Sequence, residues 1–570
     1  MAVGLAAGRD LLQARNAAAS AVSAAQMAAT SIGRGDLSAA AREIAGADAD
    51  LQRAESSLDR VEWAEAVPLI GEDIEAFRSA IEASRQLTAA ADVIFGFMND
   101  RPLLVDDGRF DPEVFASLRQ TVTTARDHAG EAQRLLGSAP RPRLASLREP
   151  LDRLRTLSSS VFTGLDSARA LSERLEPAVS GDAPFRVLLL IENEAELRAT
   201  GGFFGFPTLV EINRGEIKLV RVDGFGALQV RDDVGRFIRV DAPSDYVTRY
   251  GSFLANTSLW VNVNLSPDFP TVAGVAGRLY EAAIGIRPDA VVRIDLTGVG
   301  YLLDAFGGVS AGGVPIGGDT LATDFIIDSY RRFPDNVEQS AYLVGVLRTV
   351  FRQVLTARDA DGAALVAALR RAVAERRLAV VTGVPAIDSG LAAAGADGSI
   401  LPGDPGDLNV IVQNFGANKM DLFTSETIDV DVSVAGCAVI GTVSVTITNG
   451  TPAWAAALPA LYDDNEGRWW VNVYLPADAM VLSVTENGTA VPATQAREVG
   501  RPVLARLTTI AAGDSSVVAV RYQEVVSGTD YRVRVEPQPL IHPAMLRFNG
   551  SDGIVLATTA THTYMTDCKN

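Results

Sequence analysis

FRVLLLIENEAELRATGGFFG, residues Phe185 to Gly205, decides how the rest of the chain is read. It contains an unbroken apolar run, Val187 to Ile191, the mark of a strand buried on both faces of a sheet. Five of the next seven residues, Glu192 to Arg198, carry charge or side-chain hydrogen-bonding groups, and Gly201 and Gly202 follow closely. A strand end that turns polar in this way is where an α/β sheet places its ligand. Glu192, Glu194 and Glu196 alternate, so on an extended segment they share a face and form an acidic cluster. Arg198 either neutralises that cluster or grips a phosphate with two parallel hydrogen bonds, and the paired glycines let backbone amides approach the same ligand. A salt-bridged turn at a strand end is the competing reading of the same residues.

Ahead of this stretch, residues 1–180 read as a helical bundle or stalk. Alanine and leucine recur at three- and four-residue spacing through LLQARNAAASAVSAAQMAAT and on through SLDRVEWAEAV, with charges on the opposite face. Asp36 before LSAAARE has the form of an N-cap, and breaks at Pro68 to Asp73, Arg101 to Asp111 and Gly137 to Pro142 predict four or five antiparallel helices.

Behind it, strands are expected at Pro207 to Ile212 and Ile217 to Val222, joined by a hairpin turn at Asn213-Arg214-Gly215-Glu216. Helices follow at Phe269 to Ala283, Val299 to Phe306, Asp335 to Leu355 and Ala363 to Arg377, with a further strand at Ala290 to Leu296. Asp268 reads as a helix cap and Trp260 as core. Mixed strands and helices make residues 184–420 an α/β domain. Residues 424–570 alternate apolar and polar through IDVDVSV, GTVSVTITN, WWVNVYLP and YRVRVEP, which predicts an antiparallel β-sandwich of immunoglobulin-like type. The fold class expected is therefore multidomain α+β.

Composition limits what such a chain can do. At 570 residues, 48 % hydrophobic and 21 % charged, it is folded and too long for one core. A net charge of −19 argues against broad binding to nucleic acid or anionic lipid. Lys218, Lys419 and Lys569 are the only lysines, so almost every cation is a guanidinium, suited to phosphate. Cys437 and Cys568 either close a loop of more than a hundred residues in an oxidising compartment or remain two buried thiols. No P-loop, HExxH or CxxC motif is present, and His128, His542 and His562 all lie outside the α/β domain, so any chemistry there relies on carboxylates and arginines, with a divalent cation to suit them.

The line ENEAELRATGGFFG, followed by strand, turn and strand, and the later block NVNLSPDFPTVAGVAGRLYE resemble the pattern of an uncharacterised bacterial envelope family that often carries a membrane helix and a helical stalk before this domain. More distantly, LYEAAIGIRPDAVVRIDLTGVGYLLDAFGGV resembles the LytR-CpsA-Psr family of cell-wall glycopolymer ligases, with coverage from residue 185 to about 356. That resemblance implies an extracytoplasmic protein, anchored to the membrane by a segment ahead of residue 1. It implies a polyprenyl-pyrophosphate carrier in an apolar cleft and transfer of its glycan phosphate to a cell-wall hydroxyl with Mg²⁺. A non-catalytic scaffold or lipid-linked glycan binding protein is the alternative, with envelope proteins as partners.

Carried over by position, Arg198 matches the arginine of that family's RxDT motif, and Glu192 falls near its first-strand aspartate. Asp223 lies near a second-strand Arg-Asp pair with Arg221 beside it. Asn262 and Asn264 fall where the family has an asparagine, and Arg331, Arg332 and Gln339 match a later arginine-rich segment. The resemblance thus implies Arg198, Glu196 and Asp223 as catalytic residues, Glu192, Glu194 and Asp223 around the metal, and Arg198, Arg221, Asn262, Asn264, Arg331, Arg332 and Gln339 on the substrate. Two positions depart from the pattern: Thr200 stands for the motif's aspartate, and Glu338 for an arginine.

Overall fold

The structure, a computed structural model, describes residues 37–61, 71–99, 105–356 apart from 308, 312–313, 319–320 and 334–335, then 362–458 and 466–568, with four isolated positions before residue 37. The helix expected from residue 11 onward and the Asp36 cap lie outside the described residues. What is described is a multidomain α+β chain: N-terminal helices, a central curled sheet with its helices, and two C-terminal sheets.

The N-terminal helices are α1 (Leu37–Asp59), α2 (Gly71–Asn99), α3 (Pro112–Ser138) and α4 (Ala145–Val179). Small residues let them approach closely: Ala76, Ala83 and Ala132 are buried with Leu136 and Leu151 in one cluster. Asp111 caps α3, its Oδ1 accepting from the amides of Glu113 at 2.8 Å and Val114 at 3.1 Å, with Pro112 in the first turn where no amide is needed. A short hairpin between α2 and α3, Val105–Asp106 with Arg109–Phe110, pairs through Arg109 with Glu216 and so hooks the helices onto the central sheet. No helix of the described residues is long and apolar enough to cross a membrane.

The central sheet is built from β1 (Phe185–Asn193), β2 (Thr208–Asn213), β3 (Glu216–Val222), β4 (Ala290–Asp295) and β5 (Leu378–Val381), in the order β3-β2-β1-β4-β5 beyond the hairpin. Only β1 and β4 run parallel. Their connection includes α5 (Phe269–Ile284), which starts at an Asp268 cap accepting from Thr271 N at 3.2 Å. The turn at Asn213 to Glu216 forms as expected, with Arg214 and Gly215 at φ 52° and 76°, the left-handed pair that matches strand twist. After β4 come α6 (Leu296–Ala305), α7 (Leu321–Arg332), α8 (Asn336–Thr356) and α9 (Gly362–Ala374). Trp260 is core, 1 % exposed.

Two C-terminal sheets of six and seven strands face each other across one apolar cluster that takes Val412, Val471 and Val533 from one and Val430, Val443 and Val520 from the other. The six-stranded sheet centres on β6 (Asp407–Asn414), a strand that alternation does not reveal because all eight residues are buried. One face of β6 meets the seven-stranded sheet. The other faces the central domain, where Ile411 packs with Ala199 and Ile400. The seven-stranded sheet begins with β7 (Thr424–Ala435) and β8 (Ala438–Asn449). Cys437, in the turn between them, is joined by a disulfide to Cys568, 131 residues later.

Candidate functional site

The parallel strands β1 and β4 end side by side, with Glu192 opposite Asp295 in the register. From there the motif ENEAELRATGG runs over the strand ends, and three buried ionic networks hold it.

The first network centres on Glu192, which is fully buried. Its carboxylate takes Arg293 Nη1 at 3.0 Å and the hydroxyl of Thr200. Asn264 Nδ2 donates to Thr200 Oγ1 at 2.9 Å and to the carbonyl of Gly202 at 2.7 Å, while Arg293 Nη1 also donates to Thr200 O at 2.9 Å. Burial pushes the Glu192 carboxyl above its ordinary value and the Arg293 charge pulls back against it. Thr200, which departs from the ligase pattern, is thus a donor that completes this network.

The second network caps a helix. Asp295 Oδ1 accepts from Gly298 N at 2.6 Å at the start of α6, while Glu194 accepts from the amides of Leu296 at 3.1 Å and Thr297 at 3.0 Å. Two carboxylates on one helix start suit its positive end but repel each other. Arg377 Nη1 lies 2.8 Å from Asp295 and 3.7 Å from Glu194 and offsets that repulsion. Burial, then the Asp295 charge, pushes Glu194 up to about 8.

Glu196 and Arg198 form the third network, at 2.8 Å, with Lys419 closing on the other oxygen of Glu196. The two cations outweigh burial and hold Glu196 below the usual carboxylate range. Arg198 is 6 % exposed; its Nη1 donates to the carbonyls of Leu197 and Asn414, both at 3.1 Å, and its guanidinium sits 5.4 Å from the Phe203 ring. The backbone around it is sewn to the C-terminal region: Leu197 N donates to Asp421 Oδ2 at 2.9 Å, and Gln538 Nε2 to Arg198 O at 3.0 Å. Gly202 has a steric role. A Cβ there would stand 2.5 Å from the backbone carbon and oxygen of Asn193, so the glycine lets the turn fold back on the strand end.

The other expected site residues lie elsewhere. Asp223 is buried in its own trio, with Arg221 Nη2 at 2.6 Å and Tyr280 Oη at 2.8 Å. Asn262 donates to Phe253 O at 2.8 Å and braces a loop. Arg331 lies over the Trp454 ring at 4.8 Å, Arg332 pairs with Asp328 at 2.7 Å, and Gln339 donates to Ser329 at 3.2 Å. Glu192 and Asn264 are therefore brought together, and Glu196 with Arg198, but Asp223, Arg331, Arg332 and Gln339 join neither pair. Glu192, Glu194 and Asp223 sit in three separate networks, each beside an arginine, and do not fit one divalent cation. Among the described residues no three His, Cys, Asp or Glu side chains are grouped to hold a metal ion. The run GVSAG at 308–312 has nucleophile-elbow spacing, but Ser310 lies in the hairpin of Val309–Ala311 and Val314–Ile316, not between strand and helix.

Sequence reasoning did not single out Arg293, Asp295, Arg377 or Lys419. Arg293 had a readable signal, because a charge inside the apolar strand AVVRID requires a buried partner. Beside the end of β1 lies an apolar cleft of about 120 Å³, lined by Ile191, Val299, Leu303, Leu321, Ile326 and Val346 together with Glu192 and Asn193.

No curated protein matches the chain. A solved structure from Legionella pneumophila subsp. pneumophila str. Philadelphia 1, described as a "putative nutrient binding protein", is 12 % identical and aligns over 25 % of this chain with a TM-score of 0.18. The match spans 54 % of that protein's length, about half, and a likeness this low carries no argument. The motif, the strands β1 to β4 and α6 all fall within residues 182–330, which match DUF4012, a family described as a protein of unknown function.

Proposed function

We propose that this chain is a non-catalytic, membrane-anchored envelope protein at the extracytoplasmic face of the cell membrane that binds a lipid-linked glycan or cell-wall polymer and docks envelope proteins. The observation that carries the reading is the commitment of Arg198. A pyrophosphate clamp needs guanidinium edges that face the ligand, whereas Arg198 is buried with Nη1 turned to two carbonyls and Nη2 to Glu196; its remaining nitrogen, Nε, is buried too, without a partner among the described residues. The apolar cleft beside Glu192 supports a prenyl chain as the bound part, since most of its lining side chains are aliphatic. The Cys437–Cys568 disulfide supports an oxidising compartment. In this reading the central domain keeps a LytR-CpsA-Psr-like architecture without transfer chemistry or Mg²⁺, and the C-terminal sheets serve as an immunoglobulin-like docking module.

The test is binding of a short-chain polyprenyl pyrophosphate to the full chain, with and without Mg²⁺. Expected is saturable binding that ignores Mg²⁺, persists in Arg198→Lys, is lost when Val346→Trp fills the cleft, and yields no transfer to a hydroxyl acceptor. Absence of binding overturns the carrier part. Mg²⁺-dependent transfer that requires Arg198 overturns the non-catalytic reading in favour of a phosphotransferase.

A further inference from the structure

A second, much smaller cavity of about 10 Å³, room for one water, lies where the motif meets the C-terminal region. Glu194 and Leu197 line it from the motif, Asp421 and Glu426 from the entry to the seven-stranded sheet, and Leu540 and His542 from the loop after the sheets' long strands. Glu426 is 6 % exposed, and its Oε1 has no hydrogen-bond partner among the described residues. An ionised carboxylate left without a partner costs several kcal/mol, on the order of the penalty for one unpaired buried ion.

Among the described residues, no arginine or lysine lines this cavity. Asp421 is a second acid, with Oδ1 taking Trp469 Nε1 at 2.8 Å and Oδ2 taking Leu197 N at 2.9 Å and Asn414 Nδ2 at 2.7 Å. Glu194 is a third, held by the α6 amides and Arg377. His542 Nε2 donates to the carbonyl of Leu422 at 3.0 Å, so that nitrogen is turned to the backbone. Of the nearby cations, Arg377 is turned to Asp295 and Leu540 O, and Arg198 Nη2 and Lys419 are turned to Glu196.

We propose that Glu426, with Asp421 beside it, is a proton-controlled latch that closes the joint between the motif and the C-terminal sheets when protonated and loosens it when ionised. Burial first, then the Asp421 charge, pushes Glu426 up to about 8, and burial against several donors raises Asp421 to about 6. A folded state that holds a proton up to about pH 8, against an unfolded carboxyl near 4.5, binds more protons between those values. Its stability is therefore full below about pH 4.5 and is lost as pH rises through about 8. The element biased is the Leu197–Asp421 contact, so acidification docks the motif and alkalinisation frees it.

The test is hydrogen exchange of amides 194–198 in the full chain between pH 5.5 and 8.5, corrected for intrinsic rates, on wild type and Glu426→Gln. Amides in α3, remote from the joint, report on the rest of the chain. In wild type the opening constant at 194–198 should rise on the order of tenfold or more across that range while α3 does not follow. Glutamine, a neutral stand-in for the protonated acid, should flatten most of the rise. A wild-type opening constant that does not change with pH overturns the proposal even if the variant fails to fold, and so does a Glu426→Gln protein that keeps the wild-type slope.

Discussion

Lys419 reaches back 223 residues to close its ammonium on Glu196, and both groups are buried with Arg198 on the second carboxylate oxygen. One of three lysines in the chain thus helps fasten the central motif to the segment between β6 and β7, which joins the two C-terminal sheets. Replacing Lys419 by methionine keeps the stem and removes the charge, leaving Glu196 half-neutralised out of water. The expected cost is about 3–5 kcal/mol of unfolding free energy, the usual result of breaking one side of a buried pair. Urea unfolding of Lys419→Met, Glu196→Gln and the double variant measures it; the double should cost less than the sum of the two singles.

The same trio fixes a sign with pH. Glu196 is held below the usual carboxylate range by Lys419 and Arg198 against the opposing effect of burial. A carboxyl whose folded value is depressed stabilises above its unfolded value, near 4.5, and that contribution is lost as pH falls through the lower folded value. Glu426 acts in the opposite direction at the alkaline end. Unfolding free energy against pH should therefore fall off on both sides, and Glu196→Gln should blunt the acid limb and leave the alkaline limb in place.

Gly202→Ala tests whether the paired glycines serve packing or a ligand. The added Cβ would stand 2.5 Å from backbone atoms of Asn193, which no side-chain rotation relieves. Overpacking typically costs about 1–3 kcal/mol, occasionally more, and a backbone clash belongs at the upper end. A loss of that size, seen as a lower melting temperature without any ligand present, marks Gly202 as a folding residue; unchanged stability would return it to a ligand-binding role.

Much of the central sheet is legible because its signals are local. The Asn213 to Glu216 turn and the Asp268 cap each depend on residues within a few positions, and both form where the spacing puts them. β6 is not legible: alternation marks a strand with one wet face, and here Asn409 and Gln413 are buried on the face toward the central domain, Gln413 donating to Leu265 O at 3.1 Å. The site divides in the same way. Glu196 beside Arg198 follows from adjacency, but Arg293 pairs with Glu192 across 101 residues and Lys419 with Glu196 across 223, distances at which spacing says nothing. Without those partners the motif reads as an open charged cluster; with them it is a closed one.

Reduction should weaken the C-terminal sheets. The Cys437–Cys568 link ties the turn after β7 to the last described residues of the chain, closing a loop of 131 residues. Constraining an unfolded loop of that length is worth about 3–5 kcal/mol in the chain-entropy account. A Cys437→Ser, Cys568→Ser double variant, or wild type in excess reductant, should melt lower by several degrees, and proteolysis should begin near residues 525–568.

Glu192 and Arg293 offer the sharpest division between structure and catalysis. A catalytic carboxylate is kept for its chemistry, and removing it commonly leaves stability unchanged or raised. Glu192 is instead a fully buried member of an ion pair, with Arg293 only 1 % exposed. Arg293→Met should cost about 3–5 kcal/mol because Glu192, Thr200 O and the carbonyl of Arg376 lose their donor. Adding Glu192→Leu removes the stranded charge, so the double variant should recover part of that loss. Unfolding of wild type, both single variants and the double completes the cycle. Recovery in the double variant supports a structural pair, whereas a Glu192→Leu protein as stable as wild type would reopen the case for Glu192 as a working residue.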